Sequence, residues 1–167
     1  LTPGPDRAAP PCPHYAVCGG CTLQHISRTA QQNWKETLVR TALARQEVTP
    51  ARWHDPVFIP EATRRRATFA AFRQKDRVIL GYHARRSRRI AEIERCLVLD
   101  PAIMDLRARM GAALAPILKD SRPADIMIQK VGAALDVVIT GPVGRGGAPD
   151  LEVRETAAEM VQALGLA

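Results

Sequence analysis

No part of this 167-residue chain approaches the ~18 consecutive apolar residues that a membrane span requires. The strongest aliphatic runs, Val78 to Leu80 and Val137 to Ile139, are only long enough to be pieces of strand. The opening segment, LTPGPDRAAPP, lacks the basic head and apolar stretch of a secretory signal. Residues 1–11 read instead as an extended, Pro-rich linker from a preceding domain, and both ends of the sequence as cuts in a longer protein. No repeat is strong enough to use. With 46% hydrophobic and 25% charged residues, collagen-like, mucin-like and wholly disordered chains are excluded. The expectation is a globular, cytoplasmic, monomeric protein without a membrane partner.

Acidic residues are nearly missing from one window. Residues 63–89 hold ten basic side chains: Arg64, Arg65, Arg66, Arg73, Lys75, Arg77, Arg85, Arg86, Arg88 and Arg89. Their only acid is Asp76. That window carries +9 of a net +7, so the rest of the chain sums to −2. Positive charge gathered in one segment is the footprint of a polyanion partner.

The pattern of elements predicts an α+β fold: a mainly antiparallel sheet of two hairpins, flanking helices and an N-terminal cysteine-rich loop. Residues 27–47 contain no Gly or Pro, and Ser27 can cap a helix there. Its stripe of Ala30, Trp34, Leu38 and Thr41/Ala42 is expected to pack inward. Strands over 66–73 and 77–85 form a hairpin about Gln74-Lys75-Asp76, and Arg89 to Ile93 a third strand. Asp100-Pro101 starts a helix expected to run to Leu118. A second hairpin, 125–131 with 134–140, turns at Gly132-Ala133. Residues 141–149, GPVGRGGAP, read as a loop, and Asp150 caps a helix over 151–164.

The hairpin rule brings the first strand's start beside the second strand's end, which gathers Arg64–Arg66 with Arg85, Arg86, Arg88 and Arg89. Lys75 and Arg77 sit at the opposite turn. Arginine's planar fork suits phosphates and base edges. Phe69, Phe72, Tyr82 and His83, interleaved with the charges, are either stacking groups for unpaired bases or core, the latter favoured for Phe69 and Tyr82. RNA contacts are therefore assigned to Arg64, Arg65, Arg66, Arg73, Lys75, Arg85, Arg86, Arg88 and Arg89.

The four cysteines are Cys12, Cys18, Cys21 and Cys96. Five residues separate the first pair, Gly19-Gly20 the second, and 74 residues precede the last. A backbone that turns sharply at Gly-Gly can aim two thiolates at one centre. Four thiolates suit zinc or an iron–sulfur cluster alike. Ordinary buried thiols, or a redox-active Cys18/Cys21 pair, are the remaining alternatives.

The run PCPHYAVCGGCTLQH resembles the iron–sulfur motif of the bacterial large-subunit rRNA (uracil-5-)-methyltransferases, C-x5-C-G-G-C followed by L-Q-H and a distant fourth cysteine. TRRRATFAAFR and LGYHARRSRRIAEIERC resemble two further stretches of that family in the same order. Thr63, Thr68 and Leu97 depart from its usual Tyr, Arg and Pro, and none of the three is a ligand position. The resemblance covers residues 1–103 well and the rest loosely.

It implies that Cys12, Cys18, Cys21 and Cys96 hold a 4Fe–4S cluster, with Gln24 and His25 supporting it from outside. It also implies that residues 12–167 are the central domain of an S-adenosylmethionine-dependent enzyme acting on RNA, most naturally large-subunit rRNA. The methyl-transfer domain, with its nucleophilic cysteine and its cofactor, is expected outside this chain. Gly141, Gly144, Gly146 and Gly147 follow a strand, but Pro142 and Pro149 do not fit a dinucleotide-type loop. No cysteine is spare to attack uracil, so no catalytic residue is assigned and this chain alone is expected to be inactive. A zinc-bound RNA-binding module without methyltransferase activity is the alternative.

Overall fold

The strand at the centre of the molecule owes its place to an alternation of small and aromatic residues. In a computed structural model, which describes residues 2–142 and 149–166, Arg66–Gln74 forms β1, with Ala67, Phe69 and Ala71 buried along one face. β2 (Arg77–His83) pairs antiparallel to it from Gln74–Arg77 to Ala70–Gly81. β3 (Ile90–Glu92) follows β2, again antiparallel. On the other side of β1 lies β4 (Pro123–Val131), and beyond it β5 (Ala134–Thr140). The sheet order is β3-β2-β1-β4-β5, every neighbouring pair antiparallel. The two expected hairpins are therefore joined through their first strands. Gly132, at φ +62°, opens the two-residue turn of the second hairpin.

The helix between the hairpins lies over one face of this sheet. Numbered after the N-terminal helix α1 (Arg28–Arg45), it is α2 (Pro101–Leu114), and α3 (Leu151–Leu164) ends the described chain. Ile103, Leu106, Met110 and Leu114 make the buried stripe of α2. They join Phe69, Leu80, Ile126 and Ile128 in one core, which Val153, Met160 and Leu164 of α3 complete. Asp100 caps α2 by accepting from Ala102 N–H at 3.0 Å, and Asp150 caps α3 through Val153 N–H at 3.0 Å. Gly165, at φ +64°, closes α3 in the left-handed conformation.

The chain divides into two compact units. One comprises Leu1–Tyr15 and Cys21–Pro60, and the other Ala16–Gly20 and Glu61–Ala167. The sheet, α2 and α3 all belong to the second.

Three expectations need correction. α2 stops at Leu114, not Leu118, because Pro116 cannot donate to Ala112 O and its ring disfavours a continued helix. Tighter bonds take over there, and Ile117 and Leu118 remain buried, so the apolar period outlasts the helix. In α1 no residue is buried; Trp34 and Leu38 are 52% and 55% exposed. Too few large apolar residues lie on that face, and the helix is held by polar contacts instead. Gln31 Nε2 donates to Leu23 O and Ile26 O, Ser27 caps the start, and Glu36 pairs with Arg40. The third correction is to strand length: β2 ends at His83 rather than at residue 85, and β3 runs only from Ile90 to Glu92. The residues between form a turn. Gly144, Gly146 and Gly147, in the expected loop, lie outside the described residues.

Candidate functional site

Arg64, Arg65 and Arg66 are fixed through their backbone, which leaves their side chains exposed. Arg64 N–H donates to Val98 O at 3.0 Å, and Arg64 O accepts from Asp100 N–H at 2.9 Å. On the other edge Lys130 N–H donates to Arg65 O at 2.8 Å. Below them Lys130 Nζ meets Asp100 Oδ2 at 2.7 Å. The bond from Lys130 holds the Asp100 carboxyl below the ordinary carboxylate range; the Ala102 N–H and the Arg65 charge act in the same direction.

The second arginine group occupies the turn from β2 to β3. Ala84 N–H donates to Arg89 O at 2.8 Å, and Ser87 N–H to Ala84 O at 3.1 Å. Arg86 takes φ +50°, a left-handed conformation that costs a non-glycine residue roughly 1–2 kcal/mol. Arg85, Arg86, Arg88 and Arg89 are all exposed.

β1 begins and β2 ends at the same end of the sheet, as expected, but their ladder stops at Ala70–Gly81. Beyond that pair β1 keeps β4 as its partner and β2 takes β3. The two arginine groups thus flank the sheet end on different strand pairs. Ion pairs join Arg40 to Glu36, Arg77 to Glu92 and Lys130 to Asp100. None of these involves Arg64, Arg65, Arg66, Arg86, Arg88 or Arg89, so among the described residues these charges have no ion-pair partner.

The remaining basic residues stand at the far turn and have structural work there. Arg73 donates to Lys75 O at 2.7 Å and Leu118 O at 3.0 Å. Lys75, at φ +56°, is held by its own N–H to Asp120 Oδ1 at 2.7 Å, the contact that most lowers the Asp120 pKa. Arg77 pairs with Glu92 at 2.6 Å.

The cysteine loop is built in two parts. In the sheet unit, the segment Ala16–Gly20 runs beside the end of β2: Gly19 N–H donates to His83 O at 2.9 Å, Arg85 N–H to Val17 O at 3.2 Å, and Cys18 bridges Ala84. Gly20 N–H lies 3.4 Å from Cys18 Sγ. Cys18 and Cys96, both half-buried, pack against the same core. In the N-terminal unit, Gln24 Oε1 accepts from Cys12 N–H at 3.2 Å. Tyr15 Oη lies 2.8 Å from Thr22 O and 2.6 Å from His25 Nδ1. One hydroxyl proton cannot serve both, so with Thr22 O accepting it, His25 Nδ1 is the donor to the phenol oxygen. Gln24 and His25 therefore brace the backbone around the cysteines. None of the four cysteines is in a disulfide. Among the described residues no three His, Cys, Asp or Glu side chains are gathered into a metal site.

Of the aromatic candidates, Phe69 is fully buried and stacks at 5.1 Å on the half-buried Tyr82, which makes the pair core. Phe72 is half-buried and His83 exposed, on the opposite face of the sheet. Sequence reasoning missed Arg107, whose guanidinium donates to Leu80 O and ties α2 to β2. Burial pulls its pKa below the ordinary arginine value. No helix among the described residues is long and apolar enough to cross a membrane.

No family model matches the chain. Curated relatives do. It is 38% identical over 105 residues to the 23S rRNA (uracil(1939)-C(5))-methyltransferase RlmD of Psychrobacter arcticus, covering 60% of this chain and 20% of that protein. It is 36% identical over 124 residues to the protein of the same name in Bordetella pertussis, covering 70% of the chain and 27% of the relative. An uncharacterised RNA methyltransferase from Caulobacter vibrioides is 32% identical over 165 residues, or 95% of the chain and 39% of the relative. The chain thus spans well under half the length of the curated relatives it matches. On these relationships the chain belongs to the bacterial 23S rRNA (uracil-C5)-methyltransferase family.

Proposed function

We propose that this chain is the RNA-binding, cluster-bearing part of an S-adenosylmethionine-dependent RNA (uracil-C5)-methyltransferase, a cytoplasmic monomer whose preferred substrate is large-subunit rRNA. The relatives named for rRNA methylation support the class. The observation that carries the reading is local. The segment bearing Cys18 is hydrogen-bonded to the turn that presents Arg85, Arg86, Arg88 and Arg89. Whatever fixes Cys18 therefore also fixes part of the arginine surface.

In this reading Cys12, Cys18, Cys21 and Cys96 hold a 4Fe–4S cluster with a structural role. Arg64, Arg65, Arg66, Arg85, Arg86, Arg88 and Arg89 contact phosphates and base edges. Lys75 extends the same charge to the far turn, while Arg73 braces that turn and contributes its charge from there. Methyl transfer belongs to a domain beyond this chain, so the chain alone is inactive.

Iron and acid-labile sulfide analysis of protein purified without oxygen is the test of the cluster. Both are expected, and Cys21→Ser is expected to lose iron and lower the melting temperature together. If apo and holo protein melt at the same temperature, the structural role is wrong. Zinc in place of iron and sulfide overturns the cluster itself.

A further inference from the structure

The face of the sheet away from α2 and α3 carries a depression with the chemistry of a base pocket. Along β1 the core face takes Ala67, Phe69 and Ala71, so Thr68, Ala70 and Phe72 point the other way. Across the strands Ala70 lies opposite Gly81 and Asp125, and Phe72 opposite Ile79 and Pro123. Between Asp125 on β4 and Glu92 on β3 that row offers only the Ala70 methyl group and Gly81, and the row beside it carries the larger Phe72 and Ile79. Gly81 cannot be enlarged: a Cβ there would run into Ala91 O. The Ala91 carbonyl of β3 thus takes the place of a Gly81 side chain, and the cavity of about 410 Å³ opens beside it, over Ala70. Phe72, Ile79, His83 and Ile90 line it, and Arg88, Arg89 and Asp125 stand around it.

We propose that this pocket receives one unpaired base of the bound RNA, stacked on Phe72 and His83, with Arg88 and Arg89 on the adjoining phosphates and Asp125 accepting from N–H groups on the base edge. The volume is within the usual range of small-ligand sites, about 300–1,000 Å³. The charge argues for a nucleotide over an apolar partner. Arg88 and Arg89 belong to the +9 segment and have no ion-pair partner among the described residues. A sheet that stacks splayed bases on exposed rings is a recurrent way to read single-stranded RNA. Duplex RNA, whose bases are already stacked, cannot fill such a pocket.

The inference rests on the RNA-binding reading above, and its test separates the two. Binding of the 167-residue protein to a single-stranded RNA and to a duplex of equal length is measured by fluorescence anisotropy. The wild type is expected to prefer the single strand. Base–aromatic stacking is worth about 1–3 kcal/mol per base, so Phe72→Ala is expected to weaken single-strand binding roughly tenfold and leave duplex binding unchanged. Phe72→Leu, which keeps apolar volume, guards against a folding artefact and is expected to weaken it in the same sense. Photo-crosslinking to RNA carrying 5-iodouracil is expected to mark the peptides containing Phe72 or His83. If the Phe72 variants bind both RNAs like wild type, or crosslinks avoid the sheet face, the pocket proposal fails and the arginine reading stands. If the wild type binds neither RNA, the arginine reading itself fails.

Discussion

Gly19 and Gly20 are neighbours in sequence with different tolerance for change. Neither takes a positive φ, so the left-handed conformation is not what selects glycine here. At Gly19 a Cβ would lie 2.6 Å from His83 O, a backbone atom that already accepts the Gly19 N–H. At Gly20 the nearest atoms, Cys18 Sγ and the Tyr82 ring, would be 3.5 and 3.6 Å away, an ordinary contact. Gly19→Ala is therefore expected to push Cys18 away from Ala84, at a cost of order 1–3 kcal/mol for the forced backbone shift, and Gly20→Ala to be tolerated. Amide exchange at Gly20 and Arg85 checks this: it should accelerate in the first variant only. Arg86 gives the opposite contrast, since its left-handed backbone is a cost to folding and its exposed charge is free for RNA. Arg86→Gly is expected to hold or raise the melting temperature and to lower RNA affinity. A loss of both would mean that the side chain supports the turn.

The two arginine elements depend on different anchors, and one of those anchors titrates. Asp100 holds the strip Arg64–Arg66 by accepting from Lys130 and by donating its own N–H to Arg64 O. Its folded pKa lies below the unfolded value of about 3.9, so its contribution is complete above that value and is lost as pH falls through the folded one. Asn is an equally good helix cap, so Asp100→Asn removes the Lys130 ion pair and spares α2. Its melting temperature is expected to fall below wild type at neutral pH, with the gap closing as pH drops below about 4. A gap independent of pH would place the effect elsewhere. Much at this scale was legible in the sequence. The hairpins follow from alternation and turn residues, and the caps from Asp100 and Asp150. The inward face assigned to α1 and the end assigned to α2 misled for one reason: periodicity reports a pattern of apolar residues, not whether a partner covers it or a proline interrupts it. The base pocket was unreadable because Ala70, over which it opens, has almost no side chain, and a depression exists only after the strands around it are in register.

At the scale of the molecule, the concentration of charge matters more than the net +7, because a diffuse excess and a focused one make different demands on salt. Releasing counterions from single-stranded RNA gives a slope of about −0.7 per phosphate neutralised in a plot of log affinity against log salt. If all seven arginines at the sheet end engage one phosphate each, the slope is bounded at roughly −5. Changing Arg64, Arg65 and Arg66 together to Gln should make it shallower by about 2, since their side chains are exposed and only their backbone holds the fold. Changing three exposed arginines outside the segment, Arg28, Arg45 and Arg154, removes the same charge from the molecule. Under focused binding that second triple should leave the slope as it was and lower affinity only slightly. Equal losses in the two triples would show that RNA responds to the whole molecule's field, and would remove the reason to assign the arginine segments to an interface.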